Sequence, residues 1–182
     1  MIPATEQCLQ LLKKYELPDN VIAHSKKVRD VAIRLAEELK KRGEQINIPL
    51  LNAAALLHDL DKIKTLGENF KKHGYVTKEI LLKEGFSEDF AQLVLLHKAE
   101  HLLDFEYNNW EEKLLVYADS RTLDDKTVSF EQRFQYAINK YPHLRQPKFQ
   151  EVKQKVLKLE EFIFSKLDIN PDDLNDQRRK II

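Results

Sequence analysis

Cysteine is almost absent. Cys8 stands alone in 182 residues, so no disulfide forms within the chain and no cysteine cluster holds a structural zinc. A protein of the reducing cytoplasm is expected. Glycine and proline are nearly as scarce, at four and six residues, and the sequence contains no glycine-rich phosphate loop, Gly/Ser linker or low-complexity tract. Net charge is missing too, because 30 basic and 30 acidic side chains cancel. That balance disfavours a dedicated nucleic-acid binder, whose affinity rests on neutralising phosphates. No apolar run comes near the ~18 residues of a membrane span. The stretch MIPATEQCLQLLKKYELP also lacks the charged-then-apolar layout of a secretory signal, so no membrane partner is expected. A charged share of 33% beside a hydrophobic share of 42% suits a soluble, ordered, helix-rich chain, read as one domain over 1–182.

Apolar residues recur at helical spacing along most of the chain. In VIAHSKKVRDVAIRLAEELKKRG, Val21, Val28, Val31, Ile33, Leu35 and Leu39 outline one broad face, with Asp19 or Asn20 as a cap and Gly43 as a stop. ATEQCLQLLKKY predicts a short leading helix. IPLLNAAALLHDLDK, KKHGYVTKEILLKEG, SEDFAQLVLLHKAEHLL, NWEEKLLVYADSRTL and SFEQRFQYAINKY predict five more, and PKFQEVKQKVLKLEEFIFSKL a long C-terminal one. No useful strand pattern or repeat appears. The fold class is all-α: a compact multi-helix bundle with C-terminal helices over 129–182 and a polar tail, NPDDLNDQRRKII. Val152, Val156, Leu159 and Ile163 make a stripe on the last helix that serves either the chain's own core or a homodimer.

AAALLHDLDK runs an apolar helix straight into His58 and Asp59. Burying that pair without partners costs a few kcal/mol, about 2–7 for each neutral polar group. A divalent metal would satisfy both, and so would capping of nearby backbone groups. Three other positions tilt the balance. His97 follows AQLVLL as His58 follows AAALL, Asp119 follows KLLVYA, and His24 lies on the apolar face of its helix. Facing helices that each deliver one metal-capable residue are how a helical bundle builds a metal site.

The order His24, His58-Asp59, Asp119 resembles the His…His-Asp…Asp pattern of the HD-domain superfamily of metal-dependent phosphohydrolases, over about residues 20–122. Many relatives read HDIGK where this chain reads HDLDK, so Leu60 and Asp61 replace Ile-Gly. The resemblance implies an HD-type helical fold with His24, His58, Asp59 and Asp119 as ligands of one ion. His73 and His97 resemble the extra histidines of the two-metal branch, in which the Asp of the pair bridges to a second ion. The layout is loosely similar to the symmetrical dinucleoside tetraphosphate hydrolases, and it lacks the Gly-Tyr-Pro triplet of the cyclic-di-GMP phosphodiesterases. Implied cofactors are one or two divalent ions, from Mn, Fe, Co, Ni, Zn or Mg. The implied partner is a nucleotide-like small-molecule phosphomonoester, phosphodiester or phosphoanhydride.

Other catalytic candidates follow from spacing. Lys62 lies four residues after His58 and three after Asp59, over the same face if the helix continues; it either holds a substrate phosphate or pairs with Asp59. Arg121 offers a forked phosphate grip or is solvated. Asp61 serves as acid, base or water-orienting group, or simply faces solvent. His101, four after His97, would share its helical face. Phe105, Tyr107 and Trp110 either stack on a base or pack a helix corner. Two other classes stay open: a non-catalytic nucleotide-sensing or protein-binding module, and an RNA-directed hydrolase.

Overall fold

The computed structural model describes residues 2–65 and 72–175. Position 71, where the third long helix was expected to open, and tail residues 176–182 lie outside the described residues. Eight α-helices carry the described chain: α1 (Thr5–Lys14), α2 (Asp19–Lys41), α3 (Ile48–Leu57), α4 (Tyr75–Lys83), α5 (Glu88–Leu95), α6 (Trp110–Ser120), α7 (Phe130–Lys140) and α8 (Lys148–Phe164). The fold is all-α apart from a two-stranded antiparallel hairpin, β1 (Thr122–Leu123) with β2 (Lys126–Thr127). Its Asp124 turns the chain at φ 51°, a left-handed conformation that Asp tolerates better than most residues. No described helix is long and apolar enough to cross a membrane.

Helix α3 is the axis of the main core. Leu51, Ala53, Ala54, Ala55, Leu56 and Leu57 are all buried, so it is apolar nearly all round, as an interior helix must be. It packs against α1, α2, α5 and α6. A second hydrophobic cluster, of Phe130, Phe134, Phe149, Val152 and Val156, joins α7 to α8 and meets the 3-10 turn Ala99–Leu103. Val152, Val156, Leu159 and Ile163 are all buried within the chain. Of the two roles the stripe could take, it serves the chain's own core.

Helix ends depart from the sequence pattern in informative ways. Pro18, not Asp19 or Asn20, is the N-cap of α2, and Asp19 sits in its first turn. Gly43 follows the helix at φ 93°, where a residue with a Cβ is strained. The periodic stretches 48–62 and 87–103 do not continue as single α-helices. α3 has His58 as its C-cap, and α5 ends with Leu96 as its C-cap, one residue before His97; the Nδ1–H of His58 donates to Ala55 O and that of His97 to Val94 O, each at 2.8 Å. Each ring takes the carbonyl that the next amide would have used. Lys62 therefore lies on a 3-10 turn, Lys62–Thr65, and His101 on the turn Ala99–Leu103. His73 precedes α4 instead of starting it, because Gly74 is the N-cap at φ 85°.

Candidate metal centre

The interrupted helix ends converge on one buried site. The Nε2 of His24 is 3.1 Å from Asp119 Oδ1 and 3.9 Å from Asp59 Oδ2. The Nε2 of His58 is 3.7 Å from Asp59 Oδ2 and 3.8 Å from Asp119 Oδ1. On the other side of the same carboxylate, His73 Nε2 is 3.1 Å from Asp59 Oδ1, and His97 Nε2 is 3.1 Å from His73 Nε2. His24, His58 and Asp119 form one group, and Asp59, His73 and His97 another; within each the ligand atoms lie within 4.8 Å of one another. Asp59 thus shows one oxygen to each group.

The chemistry of the donors fits a metal. A carbonyl oxygen only accepts, so each ring nitrogen bonded to one must carry the hydrogen. This fixes Nδ1–H on His58, on His97, and on His24, which donates to Asp124 O at 2.9 Å. His73 Nδ1 meets Asp61 Oδ1 at 2.7 Å. All four outward nitrogens are engaged, and the four inward Nε2 atoms face one another and the carboxylates of Asp59 and Asp119, where each can present a lone pair once it is unprotonated. His58 Nε2 is buried with no hydrogen-bond partner, an orphan that costs free energy unless something electrophilic sits before it. Carboxylate or carbonyl partners behind metal-binding imidazoles set the tautomer in this way.

Charge at the cluster follows from crowding. Burial pushes the Asp59 carboxyl up, but Lys62, His58 and His73 together hold it well below the usual range. Burial also opposes ionisation of Asp119, and the hydrogen bond from His24 with the charges of His58, His24 and Arg133 overrides it, keeping the carboxylate anionic. Burial and the neighbouring His73 and His58 keep His97 neutral. Burial would lower His73, yet its bonds to Asp59 and Asp61 raise it to about 9. A proton on Nε2 there holds the place of a cation.

A pH dependence follows. Below pH 9 a metal ion must displace that proton, so affinity for the Asp59, His73, His97 group rises with pH by about one log unit per unit until it levels off. Calorimetric Mn²⁺ titrations at pH 7, 8 and 9 check this. A flat profile would exclude proton competition at His73.

Asp61 and Arg121 occupy places other than those expected. Asp61 is fully buried: Oδ1 takes His73, and Oδ2 accepts from the amides of Gly74 at 2.8 Å and Thr77 at 3.1 Å. It neither faces solvent nor is available as an acid or base; it positions His73. Asp61→Asn would turn an amide NH₂ towards Nδ1 and favour the wrong tautomer. We expect affinity at the second group to fall about 10–100-fold, the usual loss for an outer partner, with helix content unchanged. Metal content at limiting Mn²⁺ reads this, and unchanged stoichiometry and affinity would refute it.

Arg121 is neither a phosphate grip nor solvated. Its buried guanidinium donates to Val128 O (2.6 Å), Glu160 (2.9 Å), Pro171 O (2.9 Å), Asn175 (2.8 Å) and the Tyr117 hydroxyl. Lys62 Nζ lies 3.1 Å from Asp59 Oδ2 and lines the cavity over the cluster. His101 belongs to neither group; Nδ1 bonds Leu95 O at 3.0 Å and the ring lies among Tyr75 and Phe105. Trp110 stacks on Phe162, its Nε1–H donates to Glu44, and Tyr107 donates to Leu96 O. Those two rings pack corners. Missed by sequence reasoning is Arg133, whose Nε donates to Thr122 O at 2.9 Å and which lines the same cavity as Lys62, His73, His97 and Asp119. Its only sequence signal is a basic position on an amphipathic helix.

A helical bundle that gathers this His/Asp set belongs to a recognisable class: the HD-domain family model matches residues 21–133, and the chain is a member of that family. Among curated proteins it is similar to a tRNA (cytidine(56)-2'-O)-methyltransferase of Thermoplasma volcanium, 27% identical over 96% of this chain and 51% of that protein. A protein of the same name from Picrophilus torridus is 28% identical over 78% of this chain and 43% of its own length. An uncharacterised protein of Methanocaldococcus jannaschii is 30% identical over 69% of this chain and 79% of that one. The chain therefore spans about half the length of the methyltransferases that it matches. No solved structure matches.

Proposed function

We propose that the protein is a metal-dependent phosphohydrolase acting on a nucleotide-like phosphoester, with His24, His58, Asp59 and Asp119 holding one divalent ion and Asp59, His73 and His97 a second. The observation that carries this reading is the orphaned Nε2 of His58, one of four ring nitrogens aimed at the buried carboxylate of Asp59 and the partly buried one of Asp119. Bound there, a divalent ion would lower the pKa of a coordinated water and stabilise charge on the phosphoryl oxygens. The rest falls to the chain. Lys62, kept cationic by Asp59 and Asp119 despite its burial, offers a charge for phosphate. Two hydroxyls on the cavity wall are committed: Thr65 donates to Asp61 O at 3.1 Å and Ser120 to Val116 O at 2.8 Å. That favours water over a protein nucleophile. Because α7 and α8 wall the same cavity, the C-terminal helices belong to one functional unit with the HD core.

The methyltransferase names of two relatives do not extend to this chain in our reading, since its candidate chemistry centres on the His/Asp cluster and it spans about half of each of them. The tRNA in those names does favour a second reading, a hydrolase acting on RNA. A panel of nucleotides, generic phosphoesters and tRNA, assayed with Mn²⁺, Co²⁺, Ni²⁺, Zn²⁺ and Mg²⁺, tests both. We expect phosphate or nucleotide release that stops with a chelator and returns with metal. Salt-sensitive tRNA binding with tRNA cleavage would support the second reading. Tight nucleotide binding without release would replace both with a sensing module.

A further inference from the structure

The cavity over the cluster does not end at the His/Asp groups. It measures about 340 Å³, has Lys98, Glu100 and Tyr141 on its lining as well, and continues between α7 and α8, where its apolar wall is Phe130, Phe134, Ile138, Leu144, Phe149 and Val152. Four of these six belong to the second hydrophobic cluster and the other two pack against it, so the wall is preformed. At the junction between the apolar part and the metal groups sit the cations Lys62 and Arg133. Arg133 is held by Nε on Thr122 O. That bond engages one edge of the guanidinium, and its charge acts on both Asp119 and Lys62. The cavity thus has a carboxylate-imidazole end, a cationic waist and an apolar end.

Resting on the phosphohydrolase reading, we propose that the apolar end selects the organic group of the substrate: a phosphate monoester bearing one compact, flat, weakly polar ring system, its phosphoryl oxygens held by Arg133 and Lys62. Size sets the upper bound. Ligand pockets run from about 300 to 1,000 Å³, and 340 Å³ is near the bottom of that range. It accommodates one nucleoside-sized group. Composition sets the character. A chamber walled by three phenylalanines gains by burying a ring and loses by burying unpartnered hydroxyls. Rings stack on or abut such walls, whereas a bare sugar or an extended RNA strand leaves them unused.

Two phosphonates that share a head group and resist hydrolysis test the ligand class apart from catalysis. Calorimetric titration of the full chain, with and without Mn²⁺, should show benzylphosphonate binding at least tenfold tighter than methylphosphonate. Ala137→Trp, which fills the chamber from α7, should bring that ratio to within threefold of one. Ile138→Gln, which makes the same wall polar, should narrow it in the same direction, and thermal melts show that each variant folds. Arg133→Gln should weaken both phosphonates at least tenfold and leave their ratio alone. Equal affinities in the wild-type protein overturn the selection of a ring, and unchanged affinities in Arg133→Gln overturn the grip.

Turnover then separates this inference from the function beneath it. Adenosine 5'-monophosphate and 1-naphthyl phosphate should exceed ribose 5-phosphate at least tenfold in kcat/KM. A clear advantage of the nucleotide over the naphthyl ester identifies the ring as a nucleobase, and the reverse identifies a different aromatic group. Equal turnover of all three overturns the substrate class and leaves the hydrolase reading intact. Selective phosphonate binding with no turnover of any ester removes the hydrolase reading and leaves the ligand class standing.

Discussion

Replacing Asp59 by alanine should remove phosphoester turnover while leaving the helices intact. The reason is its position between two groups: Oδ2 faces His24 and His58, and Oδ1 faces His73. Loss of an outer-shell partner costs about 10–100-fold in metal affinity or activity. Loss of a direct ligand common to both groups should cost more than about 100-fold, and metal content at both should fall together. Some stability goes with it, because Lys62 and His73 lose the buried carboxylate that pairs with them, but the helices that carry the site do not depend on that one side chain. Circular dichroism, metal content and kcat/KM measured on one preparation are sufficient. Turnover within tenfold of wild type would sink the assignment of Asp59 as a shared ligand.

Arg121→Ala should produce the opposite pattern: a large loss of stability, with no ligand removed from the metal groups. Five partners from α6, the segment after the hairpin, α8, and the 3-10 turn Pro171–Leu174 with its C-cap Asn175 meet on this one guanidinium. Truncation leaves the Glu160 carboxylate, two carbonyls, an amide oxygen and a tyrosine hydroxyl to find other partners in a poorly solvated place. Breaking a buried ion pair by removing one member costs about 3–5 kcal/mol. For a chain of this length each kcal/mol lowers Tm by about 2–4 °C, which gives a fall of roughly 6–20 °C. Arg121→Lys should fall between the two, since it keeps the charge and loses the fork. A melting temperature unchanged within a degree would show that the network carries no net stability.

Much of this site was legible as pattern. Apolar helices that run into His58, His97 and Asp119 pointed to convergence, and His24 marked a fourth approach; the structure brings all of them together. What the pattern concealed was decided by distant neighbours. Nothing local distinguishes Asp61, whose carboxylate meets His73, Gly74 and Thr77, from an exposed acid at a helix end. Arg121 is not where the pattern put it, and Arg133 was not marked by the pattern at all. One residue after the end of α6 turned into the interior beside Glu160, and one on an amphipathic helix turned towards the cavity. Periodicity also overran two helix ends, because it counts apolar positions and does not register a histidine side chain competing for a backbone carbonyl.

The partners behind the four histidines differ in how evolution can reach them. His24, His58 and His97 are fixed by main-chain oxygens of Asp124, Ala55 and Val94. No substitution at those positions deletes a carbonyl, so these three rings keep their orientation while sequence drifts around them. His73 alone depends on a side chain, Asp61. One codon therefore governs how firmly the Asp59, His73, His97 group is assembled, independently of what holds His24 and His58.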